Sequence, residues 1–233
     1  MAQAGIHGLV SIPLRKWAGT REWLMLGIIL GSIFPDSDNL AVAVATVTKN
    51  STEGLHRTFT HSLFTIVAII AVFYLVSLAT KRPRWNNLGM GLGLGILLHI
   101  LLDLVIWFDG VAILWPIPFY LNFWEGVTPP AWWSILIQPL ELLFLALFFL
   151  ALHSMARKQG TDLGFLGKLR FWTGLEGLLF VVFLVLAFTL SKGFLTIFGA
   201  VYLLSLILAF AIVIRMRATL GATIEHTLKM APA

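Results

Sequence analysis

The chain contains no cysteine. That removes disulfide frameworks, thiolate-held zinc and cysteine nucleophiles together, so any metal site has to use histidine and carboxylate. Charge is scarce as well. Of the 233 residues, 12% are charged and 59% are hydrophobic, against about 25% and about 45–50% in an ordinary soluble domain. So little charge cannot solvate the surface of a globule of this size, and a mean hydropathy of +0.92 points to a surface that faces lipid. Residues 1–19 also lack the basic start, apolar core and small-residue cleavage site of a secretory signal, so the chain is expected to be retained whole.

What is present is long apolar runs. A helix needs about 20 mostly apolar residues to cross about 30 Å of hydrocarbon. Segments 62–79, 88–108, 132–152, 171–190 and 194–214 meet that requirement, each bounded by charges, Gly, Pro or Trp. Two shorter runs, 6–17 and 23–34, flank Arg15, Lys16 and Arg21. They read as a helical hairpin entering the bundle from one side. The expected fold is all-α: a polytopic membrane bundle of five long helices plus that short N-terminal hairpin. Residues 1–130 are expected to carry the chemistry, and 131–233 to add membrane helices to the same bundle.

The formal net charge of +5 does not imply a nucleic-acid partner, because the basic residues sit in short clusters between apolar runs. Lys81, Arg82 and Arg84 follow the first long span, Arg157, Lys158, Lys168 and Arg170 the third, and Arg215, Arg217 and Lys229 the fifth. By parity all three clusters share a side, which basic loops mark as cytoplasmic. The opposite loop, 109–131, has Asp109 and Glu125 but no Lys or Arg. Trp107, Trp115, Trp124, Trp132 and Trp133 around it are expected to form an interfacial belt. Gly91, Gly93 and Gly95 lie inside an apolar span with no strand before them. They therefore read as a close helix contact, not as a phosphate loop.

Most of the histidines and several aspartates gather in the first half: His7, Pro35-Asp36-Ser37-Asp38, His56-Arg57-Thr58-Phe59-Thr60-His61-Ser62, and His99-x-x-x-Asp103. His99 and Asp103 are four apart on one helix and share a face. His61 opens the first long span on the same outer side, with His56 just before it. Asp36 and Asp38 follow the run 23–34, which can deliver them to that level. Ionisable groups in a bilayer are costly, and a divalent cation offsets the cost by neutralising the acids and using the imidazole nitrogens. A mixed N/O donor set suits zinc, with manganese also accepted. Seven candidate ligands are more than one tetrahedral ion needs, so two or three ions are expected. Glu141, buried mid-span, reads as helix-bundle glue or as support for the metal site. Glu176 is similar but nearer a helix end, and His153 and His226 fall on the cytoplasmic side, away from the cluster.

In this order the motifs, together with Gly110-Val-Ala-Ile-Leu-Trp-Pro116, resemble the YdjM-like family of inner-membrane-associated metal-dependent hydrolases. That family is distantly similar to zinc-dependent phospholipase C and the P1 nucleases. The resemblance covers roughly residues 5–120 and is most specific in the His-Arg-x-x-x-His-Ser block. It implies His7, Asp36, Asp38, His56, His61, His99 and Asp103 as ligands. The family opens with a threonine before its first histidine, where this chain has Ile6.

The function these features suggest is hydrolysis of a phosphoester in a lipid or lipid-linked substrate at the outer face of the membrane. Asp36 or Asp38 would take a proton from the attacking water, and Arg57 would hold a phosphate oxygen. The alternative is a divalent-metal transporter or a metal-stabilised membrane protein with no enzymatic activity.

Overall fold

A computed structural model describes residues 3–190 and 192–223; His226 and Lys229 lie outside the described residues. Every regular element in it is helical. In chain order these are α1 (Ala4–Ser11), α2 (Arg15–Ala18), α3 (Leu24–Ile33), α4 (Asn39–Val47), α5 (Leu63–Thr80), α6 (Pro83–Ile106), α7 (Ala131–Gln159), α8 (Leu166–Thr189), α9 (Phe194–Arg215) and α10 (Arg217–Gly221). Among the described residues, 6 helical stretches are long and apolar enough to cross a membrane. Five are the long runs of the sequence.

The sixth, Leu24–Val47, shows that the run ending at Phe34 continues. Pro35–Asp38 forms a 3-10 turn joining α3 to α4, so the chain stays helical through the two acids that break the apolar pattern. α1, a 3-10 turn at Ile12–Leu14 and α2 form the other arm of the N-terminal hairpin. This arm packs on α3 and α7 and is too short to cross.

α3 and α6 pack backbone against backbone. A Cβ on Gly27 or Gly31 would collide with the main chain of α6 at Leu88 and Leu92, and one on Gly91 or Gly95 with α3 at Leu24 and Ile28. The intervening Gly89 and Gly93 face α5 instead, against Phe73 and Ile70. The glycine run therefore serves two neighbours, because residues four apart share a face. The main apolar core joins α3 (Ile29, Ile33), α7 (Leu145, Phe148) and α9 (Leu206, Ala209), all almost fully buried. The N-terminal and C-terminal halves thus share one core. α5 lies outside it, with most of its side chains exposed to the surroundings.

The basic loops do gather at one end of the bundle. Arg84 pairs with Glu22 at 3.6 Å, and the Trp23 amide donates to the Gly221 carbonyl at 3.1 Å. Arg15 reaches the Thr219 carbonyl at 3.1 Å, and Arg215 lies 3.5 Å from Asp162. The turns at 19–22, 81–87, 160–162 and 215–221 are therefore one surface. Asp36, Asp38 and the loop 48–61 lie at the opposite end of their helices. Of the five tryptophans expected in the outer belt, Trp115, Trp124 and Trp132 are exposed, whereas Trp107 turns inward and is 8% exposed.

Candidate metal centre

The centre assembles from four pieces of chain. The close α3–α6 contact sets the depth of His99: its Nδ1 lies 2.7 Å from the Ser32 carbonyl. A carbonyl only accepts, so Nδ1 carries a proton and Nε2 is the ring nitrogen turned towards the cluster. One helical turn on, Asp103 follows on the same face. α1 brings in His7, whose ring stacks on His99 with centroids 3.6 Å apart. The 3-10 turns at Pro35–Asp38 and Phe59–His61 supply Asp36, Asp38 and His61.

His7 Nε2 lies 3.1 Å from Asp103 Oδ1. His61 Nε2 lies 3.5 Å from Asp103 Oδ2 and 3.2 Å from His99 Nε2. His99 Nε2 lies 3.7 Å from Asp103 Oδ2 and 3.8 Å from Asp36 Oδ1. His7, His99 and Asp103 each offer an atom within 4.8 Å of the others. All of these side chains are 2% exposed or less.

Those spacings carry a chemical meaning. Donor atoms about 2.1 Å from one tetrahedral ion are about 3.4 Å from each other, close to the values observed here. His61 Nδ1 lies 3.0 Å from Thr60 Oγ1, and Thr60 Oγ1 also lies 3.1 Å from Asp38 Oδ2. A carboxylate accepts only, so the hydroxyl donates to Asp38 and receives the Nδ1 proton of His61. The Nε2 atoms of His61 and His99 then face each other across 3.2 Å, beside a carboxylate. Two neutral rings would set acceptor against acceptor there, a contact that a shared cation or a proton on one of the rings relieves. Both oxygens of Asp36 and the Nδ1 of His7 have no hydrogen-bond partner among the described residues, and His7 Nε2 has only the Asp103 carboxylate beside it. The donor chemistry, the spacing and these orphaned atoms together fit a divalent metal.

The seven sequence candidates divide. His7, Asp36, His61, His99 and Asp103 converge. Asp38 stands behind them, its oxygens taken by His56 Nδ1 at 2.8 Å, the Arg57 amide at 3.0 Å, Thr60 Oγ1 at 3.1 Å and Asn39 Nδ2 at 3.1 Å. It is a brace that orients the loop. His56 has its Nδ1 committed to Asp38, and its buried Nε2 has no hydrogen-bond partner among the described residues. Burial lowers the His56 imidazole from its ordinary value and takes His61 down to about 4, so both rings are neutral near pH 7 with a lone pair to offer.

Arg57 sits at the rim, 4% exposed. Its Nε lies 3.4 Å from Asp103 Oδ2, its Nη1 lies 3.6 Å from Asp109, and the guanidinium lies over the Trp107 ring at 5.1 Å. Nη2 has no hydrogen-bond partner among the described residues. The backbone here is left-handed, φ 58°, a conformation that costs a non-glycine residue about 1–2 kcal/mol. It is held by the Arg57 amide on Asp38 and by the Ala112 amide donating to the Arg57 carbonyl at 2.9 Å.

The segment 110–116 acts through its backbone. Leu63 N donates to the Ile113 carbonyl at 2.8 Å, and Ser62 Oγ to the Trp115 carbonyl at 2.9 Å, clamping the histidine block.

Several contributors were absent from the sequence reading. Thr60 lies within the His-Arg-Thr-Phe-Thr-His-Ser block and was legible there as a polar neighbour. Ser32 contributes its carbonyl, Ala112 its amide, and Trp107 an inward ring that its place among interfacial tryptophans disguised. Glu141 is not in the cluster. Its Oε1 accepts from the Gly5 amide at 2.7 Å, tying the start of α1 to α7. Gln3 adds a bond from Nε2 to the Ile137 carbonyl at 2.5 Å. Glu176 pairs with Ser205 at 3.2 Å, and His153 lies with Arg157 and Lys158 at the basic end.

A helical membrane bundle with this motif order is what one family of sequences describes, and the match to the YdjM inner membrane protein family spans residues 4–218. The chain belongs to that family. The match runs well past residue 120, where the motif resemblance stopped, so α7, α8 and α9 are part of the family's architecture. No curated protein and no solved structure matches the chain. Family membership and the apolar helices together make this an integral membrane protein of the inner membrane type.

Proposed function

We propose that the chain is a membrane-embedded, metal-dependent hydrolase acting on a phosphoester of a lipid or lipid-linked substrate at the outer face of the membrane. The observation that carries this reading is the convergence of the His61 and His99 Nε2 atoms on Asp103, 3.5 and 3.7 Å from its Oδ2, with an arginine nitrogen at the rim that has no hydrogen-bond partner among the described residues. His61, His99, Asp103, His7 and Asp36 would hold the metal, zinc by its donor set, with manganese accepted. A divalent cation in such a site supplies Lewis acidity and a water acidic enough to react near neutral pH.

The chain's own residues do the rest. Asp36, whose carboxylate oxygens have no hydrogen-bond partner among the described residues, accepts the proton of the attacking water. Arg57 Nη2 holds a phosphate oxygen, and Asp109 and Trp107 fix the plane of the guanidinium. Asp38 keeps Thr60, His56 and the Arg57 backbone in register. Burial excludes competing water and strengthens each charge interaction. The basic loops at the far end of the bundle support the outward orientation.

The test is phosphate or phosphorylated-headgroup release from a panel of phospholipids and lipid phosphates by the detergent-solubilised full chain. Activity should vanish with a chelator and return with zinc or manganese. A metal-loaded protein that cleaves no member of the panel would overturn the assignment.

A further inference from the structure

Beside the centre, an apolar groove of about 390 Å³ runs along α5. Phe34, Phe59 and Trp115 wall its outer end, and Phe64, Ala68 and Val72 continue it down the helix. From residue 64 to residue 72 it follows the helix for about 12 Å, into the depth of the hydrocarbon. Phe59, Phe64 and Val72 are each more than half exposed, so the groove opens sideways towards lipid and not into the bundle.

Its outer end abuts the centre through the chain itself. Phe34 is two residues from Asp36 and Phe59 two from His61. Trp115 packs edge-on against Phe59 at 5.4 Å and takes the Ser62 hydroxyl on its carbonyl.

We infer that this groove is the seat of one hydrocarbon chain of a phospholipid, which enters laterally from the bilayer and places its phosphate at Arg57 and the histidine cluster. The inference rests on the hydrolase reading and gives it a substrate class: a phosphate-bearing lipid with at least one long chain. Two observations select this occupant. The groove lies on a helix whose surroundings are hydrocarbon, so an apolar chain is what meets it. Two residues before Phe59, which walls its outer end, comes Arg57, whose Nη2 has no hydrogen-bond partner among the described residues and offers a donor for a phosphate. An extended apolar peptide would leave its backbone groups unpaired at that depth, and a water-soluble phosphate would leave the groove unused.

The experiment uses the full chain in nanodiscs of neutral lipid, with a phosphatidic acid carrying a diazirine midway along one acyl chain. Illumination should label peptides covering Phe59 to Val72. Excess phosphatidic acid should compete, and the corresponding diacylglycerol should compete far less. Ala68→Trp projects an indole from an exposed position into the groove. It should lower labelling about tenfold, the factor expected on displacing roughly two buried methylenes. Val72→Trp should do the same should Ala68→Trp express poorly. Val67→Trp, on an exposed part of the same helix outside the groove, should leave labelling unchanged.

Labelling equal at all lipid-facing positions, or competed equally by diacylglycerol, would overturn the inference. The readout is binding, so groove labelling without phosphate release would sink the hydrolase reading alone, and release without groove labelling the inference alone.

Discussion

His99 gives its Nδ1 proton to the Ser32 carbonyl at 2.7 Å, and that one bond turns its Nε2 towards His61, Asp36 and Asp103. The partner is a main-chain carbonyl of the neighbouring helix, so the orientation of the imidazole depends on how closely α3 and α6 approach. The orientation of the imidazole and helix packing are thereby coupled.

The purified protein should therefore contain zinc or a similar divalent ion, and loss of a converging side chain should remove it. His61→Ala and Asp103→Ala should each lower the metal content measured by mass spectrometry to a small fraction of wild type. Both should also unfold at lower temperature, because metal affinity is linked to folding. His153→Ala, at the basic end, should retain full content. Equal content in all three variants would end the metal assignment.

The glycine contacts give a second test of the same coupling. A Cβ at Gly31 meets the Leu92 backbone, which cannot yield, whereas one at Gly93 meets the terminal methyl of Ile70 at 2.6 Å, which can. Gly31→Ala should cost about 1–3 kcal/mol and lower zinc retention, since it pushes Ser32 away from His99. Gly93→Ala should be milder in stability and neutral in zinc content. Matching losses for the two would show that α3–α6 spacing does not set the centre.

The helices and the shared face of His99 and Asp103 were legible in the sequence because both follow from local patterns: apolar run length, and His and Asp four apart. It stopped α3 at Phe34, since Asp36 and Asp38 break an apolar count although Pro35–Asp38 remains helical as a 3-10 turn. It also weighted Asp36 and Asp38 alike. Which carboxylate faces the cluster and which faces the loop depends on Arg57 adopting φ 58° so that its amide points at Asp38. No residue count reveals that. Contributions made by backbone atoms, such as the Ser32 carbonyl and the Ala112 amide, leave no mark on residue identity.

Orientation in the membrane is directly measurable, because the absence of cysteine provides a clean background. A cysteine placed at Asn122 should react with an impermeant maleimide in intact cells, and one at Asn86 should react only after permeabilisation. The reverse pattern would put the centre on the cytoplasmic side.

Asp36 and Asp38, two residues apart, should fail differently. Asp38 accepts from His56, Arg57, Thr60 and Asn39, so Asp38→Asn disturbs the loop and should weaken metal binding about 10–100-fold, as loss of a group supporting a ligand does. The Asp36 carboxylate accepts no hydrogen bond among the described residues, so Asp36→Asn should leave the loop in place and depress turnover on a lipid phosphate more than it depresses stability. Metal titration and thermal unfolding of both variants, set beside phosphate release, separate the two roles. Identical profiles would contradict the division of labour between them.

Arg57→Lys probes the rim. The substitution keeps the positive charge that offsets Asp103, so the apoprotein should stay folded and its zinc content should stay near wild type. It loses the planar fork, the Trp107 contact and the free Nη2. A hydrogen bond to a charged group is worth about 1.5–3 kcal/mol, which corresponds to a fall in kcat/KM of roughly 10- to 100-fold on a lipid phosphate. Lysine also reintroduces a flexible stem at a position where the backbone is left-handed, so Arg57→Gly is the companion variant. Glycine accepts φ 58° without strain and keeps the amide that holds Asp38, yet it removes the guanidinium altogether. If Arg57 orients phosphate, Arg57→Gly should be at least as inactive as Arg57→Lys while retaining the loop. If the residue serves only to anchor the loop through its backbone, both variants should turn over substrate at the wild-type rate.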